Sequence, residues 1–175
     1  ASDVYKRQDL DHFLPKSVFQ LYALSVWNLI PTCKLCNQTF KGSRFIPLLN
    51  PLEAGFDADC FLNVEFHSLG QLLGKDNNFD VSWELDPFIS ADTREKIENN
   101  IQMFRLNEVY QYHKEELRLV LKRRQMLSSR RYVEEVKKLV GEEDLDEILL
   151  GIPEKPENLD KRILAKAKYD VVKRN

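Results

Sequence analysis

Asp9-Leu10-Asp11-His12-Phe13-Leu14, followed by Asn28-Leu29-Ile30-Pro31-Thr32-Cys33-Lys34-Leu35-Cys36-Asn37, concentrates the chain's most informative residues. It holds two short β-prone segments with a loop between them. Pro31 has no N–H to give to a ladder, so the second segment suits a sheet edge or a turn. A C-x-x-C knuckle follows at once, and residues 36–42 can open a short helix. A strand near residues 9–14, a strand edge or turn at residues 27–31, a knuckle and a short helix are therefore expected.

The residue types in this stretch suit phosphodiester hydrolysis. Water attacks a phosphodiester only once it is deprotonated and the developing charge is stabilised. Histidine, with an ordinary pKa near 6.5, can take that proton at neutral pH, which makes His12 a candidate general base. A hard divalent cation on oxygen ligands can stabilise the charge, and Asp11 and the amide oxygen of Asn37 are candidate ligands. Asn28 suits an orienting role, because an amide can tie a loop backbone to its neighbours. Lys41 can meet a phosphate if a helix starts near Asn37, as can Lys16 and Arg44. Neighbours on a strand face opposite sides, so Asp11 and His12 serve one site only through a bulge or twist.

The three cysteines are Cys33, Cys36 and Cys60. An odd count with one C-x-x-C fits a reducing compartment and metal binding better than a disulfide framework. Cys33 and Cys36 form half of a tetrahedral zinc site. Cys60, His67 and His113 are too scattered to complete it, so the missing pair is expected upstream of Asp11. A redox role is the rival reading, but no βαβ pattern surrounds the knuckle.

On these residues the chain resembles the HNH endonuclease family, and within it the branch with a four-cysteine zinc site. The resemblance covers about 36 residues, from Asp9 to Arg44. It implies a ββα-metal fold in which Asp11 and Asn37 hold catalytic Mg2+ or Mn2+, His12 is the general base, and Asn28 orients the site. It also implies that Cys33 and Cys36 hold structural Zn2+. Three departures stand out. The last catalytic position is Asn rather than His, the loop after Ser17 lacks a proline often found there, and the upstream Cys pair is absent. Residues Ile97–His113 also resemble the helical tail of some members of this branch.

Outside that stretch, residues 1–8 read as a non-native leader. Asp3-Val4-Tyr5-Lys6-Arg7-Gln8 resembles translated sequencing-adapter ends, which implies a lost N-terminal portion, and the alternative is an ordinary frayed terminus. The first residues are polar and charged, so no signal peptide is expected. No apolar run reaches the roughly 18 residues of a membrane span. With 175 residues, 43% of them hydrophobic, the chain can bury a sizeable core in one domain or in a module with a helical extension.

Net charge is −2, but it is unevenly spread: +3 over residues 1–50, −8 over 51–100, +5 over 101–140 and −2 thereafter. An acidic middle of this kind would face away from a nucleic acid. Residues 46–90 are turn-rich, with strands expected around Phe61–Phe66 and Phe79–Trp83, where apolar and polar residues alternate. Residues 91–175 read as helical. Ser90 or Asp92 would cap one long helix running to about Leu127, followed by helices at Ser129–Val140 and Asp144–Leu150. A last helix would be capped by Asn158 or Asp160. Arg118, Lys122, Arg123, Arg124, Arg130 and Arg131 are either a DNA-backbone contact or a solvated face paired with Glu115 and Glu116.

The expected fold class is α+β: a ββα-metal module, a short β-containing region and a mainly helical C-terminal part. The expected function is a metal-dependent HNH endonuclease acting on nucleic acid, with double-stranded DNA as the substrate. The alternative is a catalytically inactive zinc-stapled module that binds nucleic acid or protein. The resemblance further implies a bacterial, cytoplasmic setting in phage defence and a partner protein such as an ATPase subunit.

Overall fold

A computed structural model of the chain describes residues 8–56, 58–141, 145–153, 158–159 and 164–174. Residues 1–7 of the expected leader (residues 1–8) and the expected cap Asp160 lie outside the described residues, and Gln8 opens the first strand. The architecture is α+β, with 51% of the described residues in helices and 14% in strands, and a mainly helical C-terminal part. No helix among the described residues is long and apolar enough to cross a membrane.

The chain forms two compact units, each built from two chain segments. The first contains the described residues up to Cys60 together with Leu85–Leu106. Strands β1 (Gln8–His12) and β2 (Leu29–Cys33) pair antiparallel and are followed by a short helix, α1 (Leu35–Lys41). Helix α3 (Ala91–Met103) belongs to the same unit and starts at Ser90, whose hydroxyl accepts the Thr93 N–H at 3.1 Å. Ile97 and Met103 are its buried residues. Its Asn99 amide donates to the Pro47 carbonyl at 2.9 Å and so holds the loop after α1.

The second unit contains Phe61–Glu84 and the described residues from Asn107 onward. Strands β3 (Cys60–Glu65) and β4 (Asp80–Leu85) form a two-stranded sheet, with the single helical turn α2 (Leu69–Leu72) between them. Their alternation buries Leu62 and Val64 on one strand and Val81 and Trp83 on the other. Helices α4 (Leu106–Gln111), α5 (Lys114–Leu127), α6 (Arg130–Val140), α7 (Asp146–Leu150) and α8 (Ala165–Lys173) follow. Helix α5 buries Leu117, Val120 and Leu121, whose i, i+3, i+4 spacing forms one stripe. Val120, Leu150, Ile152 and Val172 make a common cluster. Fully burying each such side chain is worth about 1.5–3 kcal/mol.

The single helix expected from residue 91 to about 127 is three helices. The first break falls at Arg105, whose φ of 50° takes the backbone out of the right-handed helical region. The second falls at Tyr112–His113, where both N–H groups make three-residue turn bonds, to Val109 and Tyr110. Apolar periodicity continues across both breaks, so it gives no sign of them.

Asp170 in α8 was not anticipated. It is fully buried, accepts the Leu62 N–H at 2.9 Å, and holds Lys166 Nζ at 2.7 Å from each carboxylate oxygen. It fastens α8 to β3 across 108 residues of chain.

Candidate active site in the strand–strand–helix unit

The site is built on the β1–β2 hairpin. The register runs without interruption from Gln8 opposite Cys33 to His12 opposite Leu29. No residue is inserted to bring two neighbours onto one side. Asp11 therefore shares a face with its partner Ile30, and His12 projects to the other face.

On the far face, the loop from Phe13 to Asn28 is closed by one buried amide. Asn28 is 3% exposed. Its Oδ1 accepts the Leu14 N–H at 2.6 Å, and its Nδ2 donates to the carbonyls of Leu14 and Tyr22, both at 3.1 Å. The next carbonyl, that of Ala23, lies 3.0 Å from His12 Nε2. A carbonyl can only accept, so Nε2 carries the proton and Nδ1 of the neutral ring is left with the lone pair. Asn28 thus fixes the loop that fixes the imidazole. Replacing Asn28 with Ala strands three polar groups in a part-buried loop. The expected cost is about 3 kcal/mol, read as a lower Tm in calorimetry. An unchanged Tm would show that the loop is held by something else.

On the near face, α1 is wound wider than an α-helix. The Gly42 N–H bonds to the Asn37 carbonyl, five residues back, at 2.7 Å. The wide turn carries Cys36 and Lys41 to the same side. With Asp11 and Thr32 they form the polar end of a cavity of about 360 Å³, whose other walls include Phe13, Ile30, Leu48 and Phe104. His12 and Asn37 are not among the residues lining it. Asn37 is half-buried, and among the described residues its side-chain amide makes no hydrogen bond.

Lys41, expected to meet a phosphate, is engaged within the unit. Its side chain is 3% exposed, and its ammonium lies 3.0 Å from Asp11 Oδ1 and 2.6 Å from the His12 carbonyl oxygen. The wide turn faces it toward Asp11 and the cavity they both line. Lys16 and Arg44 are exposed, and Arg44 donates to the Thr39 carbonyl at 3.2 Å.

The donor chemistry near Asp11 suits a hard cation. The Lys41 ammonium already rests on a carboxylate oxygen and a carbonyl oxygen, and is a stand-in for such an ion. Asn37 carries an amide oxygen of the same hardness but is not among the residues lining the cavity with Asp11.

At the knuckle, the Cys36 N–H donates to Cys33 Sγ at 3.4 Å, so both sulfurs sit at the start of α1. Burial pushes the Cys36 thiol up, the hydrogen bond with Cys33 and the Cys33 charge add to this, and the Thr32 hydroxyl offsets it in part, leaving Cys36 at about 11. Burial also raises Cys33, but the Cys36 N–H, the Cys36 thiol and the N–H groups of Leu35 and Cys33 outweigh it, so Cys33 ends below its ordinary value. The thiolate is the nucleophile, so iodoacetamide near pH 8 should label Cys33 at least about tenfold faster than Cys36. Cys36 labelling should keep rising with pH until about 11. Peptide mass spectrometry reads both rates, and equal labelling would refute the asymmetry.

Away from this site, the basic cluster is largely engaged within its own unit. Arg118 pairs with Glu115 and donates to the Gly74 carbonyl, Arg123 donates to the Leu149 carbonyl, and Arg130 pairs with Glu134. His67 bonds Asp80, and His113 packs edge-on to Tyr110. Cys60 is fully buried.

Compared with known proteins, no family model, no curated protein and no solved structure matches the chain.

Proposed function

We propose that the strand–strand–helix unit is an HNH-type, metal-dependent endonuclease centre that hydrolyses DNA phosphodiester bonds. The observation that carries this reading is the imidazole of His12, oriented by a backbone carbonyl through Nε2 and left with a basic Nδ1. Histidine held in one tautomer by a carbonyl is poised to take a proton from water. Asn28 positions that carbonyl through the loop it closes. Asp11 and Asn37 would hold the metal ion; because Asp11 and His12 lie on opposite faces of an unbulged strand, joining them in one centre requires the end of β1 to twist at His12. When bound, Mg2+ or Mn2+ would stabilise charge on the phosphate and the leaving oxygen. Lys16 and Arg44, both exposed, would contact the DNA backbone. Cys33 and Cys36 would supply two of the four ligands of a structural zinc ion.

A binding module without catalysis is the second reading, favoured by the cation already resting on Asp11. Supercoiled plasmid with MgCl2 or MnCl2 separates the two. The nuclease reading expects nicked or linear product from the parent chain and its loss in His12→Ala. Plasmid that is retained in a gel shift but never cleaved with either metal would establish the second reading.

A further inference from the structure

The Asp11–Lys41 pair is unusual for a site meant to receive a metal ion. A carboxylate that must bind a divalent cation is already neutralised, and by an ammonium almost completely removed from water. The ammonium is held at two points, the Asp11 carboxylate and the His12 carbonyl, so it is not a side chain at rest on the surface. It is also presented by the wide turn of α1, which places Lys41 on the cavity side.

We propose that Lys41 is a built-in counter-cation that occupies the metal seat on Asp11, so that a divalent ion loads only when the Lys41 ammonium moves out. The proposal rests on the nuclease reading and adds to it a residue that sets the cation affinity of the same site. Two cations on one carboxylate oxygen repel at the shortest range and in a poorly solvated place, so they exclude each other. Lys41 acts here on Asp11 and not on substrate, which makes it a positioning residue. While it is seated, it also keeps the Asp11 charge from standing alone.

The test is Mn2+ binding to the full chain, read from the EPR signal of free Mn2+, which needs no catalysis. Lys41→Gln should bind Mn2+ at least about tenfold more tightly than the parent, and Asp11→Asn in the same background should abolish the gain. Lys34→Gln, which removes an exposed lysine beside the same helix, should leave affinity within about twofold and so controls for net charge. Equal, Asp11-dependent affinity in the parent and Lys41→Gln overturns the counter-cation role and leaves the nuclease reading standing. No Mn2+ bound by either protein overturns the metal-dependent reading, and the counter-cation role with it.

A measurement on the unmodified chain covers the case in which Lys41→Gln fails to fold. Reductive methylation, mapped by mass spectrometry, should label Lys41 poorly in EDTA and several-fold more in saturating Mn2+. Labelling that does not change with Mn2+ overturns the proposal.

Discussion

On the endonuclease reading proposed above, His12→Ala is expected to slow metal-dependent DNA cleavage by on the order of 10²–10⁴ while the protein stays folded. The argument starts from the ring's hydrogen bond. Nε2 is committed to the Ala23 carbonyl at 3.0 Å, which fixes the tautomer and leaves Nδ1 to accept the proton of the attacking water. Alanine removes the proton acceptor, so water must be deprotonated by solvent, and the barrier rises by about 3–5 kcal/mol. The structural cost is small by comparison: one part-buried hydrogen bond, about 1 kcal/mol. The two effects are separable in one preparation, with cleavage rate measured on plasmid and Tm by calorimetry. Unchanged cleavage would remove His12 from the mechanism. Lost cleavage with a collapsed Tm would mean that the variant reports folding rather than chemistry.

The second large effect is on stability. Gly74→Ala should destabilise the second unit by about 2–4 kcal/mol. Gly74 has φ +65°, a conformation that costs an L side chain free energy in any surroundings. There is also no room for a methyl group. A Cβ there would lie 2.6 Å from the Lys122 N and 2.7 Å from the Arg118 carbonyl oxygen, both backbone atoms of α5, which cannot swing aside. The Gly74 carbonyl meanwhile accepts Arg118 Nη1 at 2.9 Å, so the close approach is fastened as well as tight. Relief requires the turn after α2 to move off α5, whose Leu117, Val120 and Leu121 are buried. A fall in Tm of about 10 °C is expected by circular dichroism. A change below about 2 °C would mean that the turn relaxes at little cost.

Much of the fold was legible because local pattern and local geometry agreed. Period-two alternation around Leu62 and Val64 and around Val81 and Trp83 gave both strands of the second sheet to within a residue or two. Ser90 and Ser129 marked helix starts by the chemistry that makes them caps, a hydroxyl accepting the N–H three residues on. The breaks at Arg105 and at Tyr112–His113 were not legible. They fall within a continuing apolar stripe, and no Gly or Pro announces them. Gly74 falls in the stretch 46–90 expected to be turn-rich, but its close approach to α5 involves chain some 44–48 residues away.

Residue types and spacing around Asp11-His12, Asn28 and Cys33-Lys34-Leu35-Cys36 were enough to place a first strand, a knuckle and a short helix, because these are set by neighbours within a few residues. The sequence also supplied the residue types that hydrolytic chemistry needs. What each side chain meets came from packing. The uninterrupted register put Asp11 and His12 on opposite faces, the Asn28 amide reached back to Leu14 and Tyr22, and the Ala23 carbonyl took up His12. The wide turn of α1 faced Lys41 inward onto Asp11, turning an expected phosphate contact into an internal cation. The physical reason is range: residue type and spacing act along the chain, whereas the partner of a buried charge is chosen by packing between segments up to 30 residues apart in this site.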